Sequence, residues 1–255
     1  VAVVALLAPT IAPYDPQVMN LQDRLRPPSW SHPMGTDVFG RDTLSRVIFG
    51  ARVSLEVGTV SILLGLVVGF VFGAASGYCG GTLDNGLMRL MDAILAFPPI
   101  LLALVLMAIL GPGLFTVMTA VAAIRVPVFA RTIRASLLAE REREYIEAAR
   151  GIGQRDLLIL ARHLVPNVMS PIIVLASGYF AAGIVVEASL SFLGLGVIPP
   201  DVSWGTMLSE SREYLQDYPW APFFPGLAMS LAVLGFNLLG DGLRDLLDPR
   251  LRAIV

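Results

Sequence analysis

Lysine is absent from this sequence of 255 residues, and all eighteen basic residues are arginine. A P-loop needs a lysine to reach the nucleotide phosphates, so this chain is not by itself a P-loop ATPase. Schiff-base chemistry is excluded with it. Cysteine is reduced to Cys79, which rules out an internal disulfide and a cysteine-paired metal site. The histidines, His32 and His163, lie far apart in sequence, so no HExxH zinc helix exists. We therefore assign no catalytic residue, no metal ligand and no cofactor to the chain, and nothing points to nucleic acid. Charge is also scarce: 15% of residues carry one, where soluble domains carry about a quarter.

What remains is apolar. Hydrophobic residues make up 55% of the chain and the mean hydropathy is +0.72. Apolar runs of about twenty residues recur, the length that crosses a bilayer core as helix. The expected fold is all-α, a polytopic membrane helical bundle. The opening VAVVALLAPTIAP is too short to span, lacks the basic region of a signal peptide, and reads as the remnant of a first transmembrane helix. Residues 14–52 are polar, with Thr36 or Asp37 placed to cap a short surface helix through Asp42–Arg46. Five complete spans are then expected, over 55–78, 93–110, 114–130, 170–193 and 222–239. In the first, Gly65, Gly69 and Gly73 repeat at GxxxG spacing and allow close helix approach, read as ordinary bundle packing. Pro98–Pro99 should kink the second span. Arg125 is expected to snorkel to the interface. Glu187, an ionisable group inside a span, is a candidate for the translocation path, with a packed carboxylate as the alternative. The aromatic outer loop 197–219 holds Asp201 and Trp204, candidates for docking an extracytoplasmic protein.

Arginine placement sets the expected orientation. Arg89, the seven arginines between Arg131 and Arg162, and Arg244, Arg250 and Arg252 fall on one side, eleven against six. That side is expected to be cytoplasmic, with both termini inside.

The most charged stretch, 140–167, separates two apolar runs. Residues 132–150 read as one helix with an apolar stripe of Tyr145, Ala148, Ala149 and Ile152. Gly151 and Gly153 end it. A second helix, 154–164, should stop before Pro166. Glu147 is placed to hold this bracket through Arg150 or Arg143.

Glu147-Ala148-Ala149, then Gly153, then Pro166 resembles the signature of ABC importer permeases; that pattern has an isoleucine where this chain has His163. Nearly the whole chain is similar to the C-type permease subunit of the dipeptide, oligopeptide and nickel importers. The similarity runs through His32–Asp37, Gly40–Asp42, Leu44–Arg46, Gly77–Asp84, Met88–Arg89, Glu187–Gly194, Ser203–Leu208, Phe236–Leu238 and Asp248–Pro249.

The resemblance implies a type I ABC importer permease fold of six transmembrane helices, the first truncated. It implies residues 1–13 as the remnant helix, 14–52 as an extracytoplasmic segment and 53–255 as the permease core, with a cytoplasmic coupling loop over 131–166. Tyr145, Glu147, Ala148, Ala149, Arg150, Gly151 and Gly153 would then couple to an ATPase, and His163 would sit on the docking surface rather than bind metal. The implied partners are a homologous B-type permease, two ATPase subunits that bind ATP and Mg, an extracytoplasmic substrate-binding protein, and membrane lipid. The implied location is a bacterial or archaeal cytoplasmic membrane, and the implied substrates are di- or oligopeptides, or a nickel chelate. A secondary transporter is the reading from another class; it would show paired broken helices in repeated halves, and no clear repeat is present.

Overall fold

The computed structural model describes residues 1–247. Arg250, Arg252 and Asp248–Pro249 lie outside the described residues. All regular structure among the described residues is helical, apart from an isolated bridge between Thr36 and Asp42. The α-helices are α1 (Ala2–Leu6), α2 (Ala8–Ile11), α3 (Thr43–Cys79), α4 (Gly81–Leu95), α5 (Pro99–Leu110), α6 (Leu114–Arg141), α7 (Glu144–Gly151), α8 (Asp156–Ile159), α9 (Val165–Phe192), α10 (Trp204–Ser211) and α11 (Trp220–Leu247).

Four stretches are long and apolar enough to cross a membrane: α3, α6, Asp156–Phe192 and α11. α4 and α5 make a fifth if taken as one broken span, bent by 92°. Here the structure departs from the expected span over 93–110. Proline lacks an amide N–H and clashes with the preceding turn, and Pro98–Pro99 separates two helices instead of kinking one. The first eleven residues form two short, nearly continuous helices, α1 and α2.

The short surface helix expected within 14–52 is the start of α3, which runs unbroken for 37 residues. No proline interrupts Thr43–Cys79. The cap is Asp42, not Thr36 or Asp37: its Oδ2 accepts from the Ser45 amide at 2.8 Å and the Ser45 hydroxyl at 2.7 Å. Asp37 instead accepts from Arg41 Nε at 2.6 Å. Arg41 and Arg46 both donate to Glu210, at 2.7 and 2.9 Å.

The chain forms two compact units. The first comprises Val1–Ser61, Ala103–Val121 and Phe180–Phe236. Its core gathers Val47, Ala51, Ile184, Met207 and Ala232 around the ring of Trp204. α10 starts with a capping box, the Ser203 hydroxyl accepting from the Thr206 amide at 3.2 Å. Gly205 fits because a Cβ there would stand 2.6 Å from Ala188 Cα.

The second unit comprises Ile62–Leu102, Ala122–Tyr179 and the described part of Asn237–Val255. Its core is Phe129, Ile133, Leu137, Ile146, Ile159, Leu164, Val168 and Ile172. The glycine repeat of α3 lies along α6, within this chain. A Cβ on Gly69 would stand 2.6 Å from Phe129 Cβ, and one on Gly73 would stand 2.5 Å from the Ala130 carbonyl oxygen. Small residues at four-residue spacing let two backbones touch. α4 is tied to the same face: Asp84 takes a two-pronged pair from Arg134, at 2.5 and 2.6 Å, and Asp92 pairs with Arg131.

Candidate coupling site

Residues 140–167 all belong to the second unit, and their structure differs from two plain helices joined by a turn. The expected helix over 132–150 breaks after Arg141, because Arg143 takes an extended backbone at φ −79°, ψ 142°. The break lets α7 turn its own apolar side inward: Ile146 is fully buried and Ala149 nearly so. Ile146 is the anchor that sequence reading missed; the signal was the three-residue step from Ile146 to Ala149. Of the expected stripe only Ala149 faces the core. Tyr145 and Ala148 face outward, and Ile152 is 84% exposed.

α7 ends as its glycines require. Gly153 adopts φ +78°, a left-handed conformation that costs other residues free energy. Its amide bonds the Arg150 carbonyl at 2.9 Å, and the Gln154 amide bonds that of Ala149 at 3.1 Å, closing the helix as a Schellman-type cap.

Pro166 does not stop the second helix. Leu160–Leu164 forms a π turn between α8 and α9, and the chain is helical from Asp156 through Phe192. Pro166 sits in the first turn of α9, where a missing N–H costs least. The wider turn before it relieves the clash between the proline ring and the preceding carbonyls.

Polar contacts fix the bracket. Tyr145 Oη donates to Glu140 at 2.6 Å and accepts from Asn167 Nδ2 at 3.1 Å. Burial pushes the Tyr145 phenol above its usual pKa, and the bond to the Glu140 carboxylate adds to the shift. His163 Nε2 lies 3.1 Å from Gln154 Oε1, so its half-buried ring also braces the turn. Arg141 donates to the Gly77 carbonyl at 3.2 Å, joining the base of the bracket to α3. Glu147 does not hold the bracket: among the described residues it forms no ion pair, and Arg143 pairs with Glu140 at 3.8 Å. Glu147, Arg150, Gly151 and Gly153 are exposed, and Leu157 joins Ile152 in solvent at 80% exposure.

The other candidate residues are elsewhere. Glu187 belongs to the first unit and is 0% exposed. Its carboxylate accepts from Ser191 at 2.7 Å and Ser54 at 3.5 Å, with Ser203 alongside. A path-lining group would show surface on the single chain; Glu187 shows none and is a packed, serine-satisfied carboxylate. Trp204 is also not available for docking. It is 2% exposed and donates its indole N–H to the Val47 carbonyl at 3.0 Å. A tryptophan in a polar loop suggested an interfacial residue, but the capping box at Ser203 turns it into the core. Asp201 remains exposed.

Long apolar helices and one charged, braced bracket define a polytopic helical membrane protein, and the family and fold matches make it a transport subunit with the type I ABC importer permease fold. The chain belongs to the family of binding-protein-dependent transport system inner membrane components, whose profile matches residues 65–253. The dipeptide transport system permease protein DppC of Alkalihalophilus pseudofirmus is 43% identical over 250 residues, covering 98% of this chain and 82% of that one. The glutathione transport system permease protein GsiD of Pectobacterium atrosepticum is 45% identical over 251 residues, covering 98% and 83%. Among solved structures, an inward-facing MetNI methionine ABC transporter matches with a TM-score of 0.65 at 18% identity, over 80% of this chain and 96% of that one. Family members are membrane channel subunits rather than enzymes, work with separate binding and ATPase proteins, and reside in the inner membrane.

Proposed function

We propose that this chain is one of two homologous permease subunits of an ATP-driven importer of di- or oligopeptides. Relatives named for dipeptide, di/tripeptide and glutathione transport, at 43–45% identity over nearly the whole chain, support the substrate class. The bracket of residues 131–166 docks on one of two ATPase subunits, which bind ATP and Mg. Both termini are cytoplasmic, and the outer segments, Asp201 among them, meet the extracytoplasmic binding protein. Force from ATPase closure passes through the bracket and tips the spans between inward- and outward-open states.

The observation that carries this reading is the division of labour in the bracket. Ile146 and Ala149 seat α7 in the core, while Ile152 and Leu157 stand in solvent within an otherwise charged loop. Large apolar side chains held rigidly outward suit a protein partner. The test is Ile152→Glu in the complete importer, reconstituted in proteoliposomes. Ile152 touches little of its own chain, so folding should be kept while the ATPase subunits dissociate or hydrolyse ATP without peptide uptake. Unchanged ATP-driven uptake in that variant overturns the docking assignment, and uptake without ATPase subunits overturns the importer class.

A further inference from the structure

Arg125, expected to reach an interface, lies well inside the helix that carries it when the turn at Gly111–Gly113 is taken as one membrane face. α6 begins at Leu114, so eleven residues at 1.5 Å each place Arg125 about 16 Å along the span. That is near the middle of a hydrocarbon core of about 30 Å, too deep for one side chain to climb out. A guanidinium at that depth must face protein or an aqueous cavity. Among the described residues no carboxylate pairs with it, and its Nε is buried without a hydrogen-bond acceptor. Its guanidinium lies over the Tyr179 ring instead, 4.4 Å from the centroid. The stem is held by close packing: a Cβ on Gly65 would stand 3.2 Å from Arg125 Cβ.

The surroundings are protein more than lipid. α6 is the most enclosed of the four spans, 61% buried against 44% for α3, 28% for Asp156–Phe192 and 17% for α11. Arg125 nevertheless keeps part of its surface exposed, and Gly178, next to Tyr179, is exposed with open space around it. A cation–π contact holds a guanidinium less firmly than a charge-assisted hydrogen bond to a carboxylate. Tyr179 can therefore park the cation between visits and yield it to an arriving anion.

We propose that Arg125, parked on Tyr179, is a specificity-determining residue of the translocation path and takes the carboxylate of a passing peptide. This rests on the peptide-importer reading above. Arginine suits the task because it stays charged at mid-membrane and presents a planar fork that matches a carboxylate. The site is weak by construction, and a transport path needs sites that release what they bind.

The test uses the complete importer with its binding protein in proteoliposomes. Uptake of a tripeptide with a free carboxyl terminus is compared with that of its C-terminal amide, for the wild type, Arg125→Gln and Arg125→Lys. Arg125→Gln should slow uptake of the free acid about tenfold or more and spare the amide, and Arg125→Lys should restore part of the loss. In parallel, Arg125→Cys is placed in a Cys79→Ser background and exposed to a membrane-impermeant thiol reagent. Labelling by the water-borne reagent, reduced by saturating peptide, supports a path position even where the wild type refuses the amide. Equal loss for acid and amide with poor assembly assigns Arg125 to packing or to the partner permease and overturns the proposal, as does unchanged acid uptake or labelling by lipid-soluble reagents alone. Failure of the wild type to import peptide on ATP overturns the importer reading instead.

Discussion

The seam between α3 and α6 predicts opposite outcomes for one substitution at two glycines. At Gly73 a new Cβ would lie 2.5 Å from the Ala130 carbonyl oxygen, 2.9 Å from Ile133 Cβ and 3.1 Å from Ala130 Cα. Two of these are backbone atoms of a packed helix, so no side chain can swing aside. The helices must part by close to an ångström, and Gly65, Gly69 and Gly77 share the contact, so the gap opens along the seam. Overpacking of this kind costs about 1–3 kcal/mol, and the rigid obstacle argues for the upper end. Alanine returns about 1 kcal/mol of helix propensity, leaving Gly73→Ala destabilised by about 1–2 kcal/mol. Gly86, in α4, meets nothing within 4 Å; there Gly→Ala should be neutral or stabilising by up to about 1 kcal/mol. Thermal unfolding of the detergent-solubilised protein, followed by helical circular dichroism, should put Gly73→Ala below the wild type and Gly86→Ala at or above it. Equal stability of the two variants refutes the intrachain seam and favours a lipid-facing or subunit-facing glycine stripe.

Trp204→Ala should cost about 3–5 kcal/mol of stability, since it empties the centre of the first core; loss of binding-protein affinity with unaltered unfolding would restore the docking role expected of Trp204. Glu187→Gln should assemble and leave peptide uptake roughly unchanged, because an amide can exchange hydrogen bonds with Ser54, Ser191 and Ser203. A selective loss of uptake by that variant, with normal assembly, would return Glu187 to the path.

Much of this structure is legible in the residues, and the limits are physical. Glycine spacing in α3 announces close packing but not the partner, because the same pattern suits a second helix from any chain. The charged bracket stands out by composition, and its closing at Gly153 follows from the left-handed conformation that glycine accepts. Its inner anchor does not, since Ile146 faces the core only after the backbone turns at Arg143, and no residue type dictates that turn. Pro166 misleads for a related reason: proline is a reliable stop only when the preceding turn keeps α geometry. Trp204 and Glu187 mislead in opposite directions. An aromatic in a polar loop suggests an interface, and a carboxylate in a span suggests a path, yet tertiary neighbours bury both.

The π turn at Leu160–Leu164 has a consequence for how this permease tolerates change. A helix that carries one extra residue in one turn is out of phase with itself: about 100° of rotation separates its two halves from the register of an uninterrupted helix. Deleting a single residue there would re-index the helix, turning the bracket by about 100° around the axis of the span behind it. Ile146, Ile159 and Leu164 share one core with Phe129 and Ile133, so such a turn would pull the bracket off that core; the extra residue sets the register in which bracket and span meet.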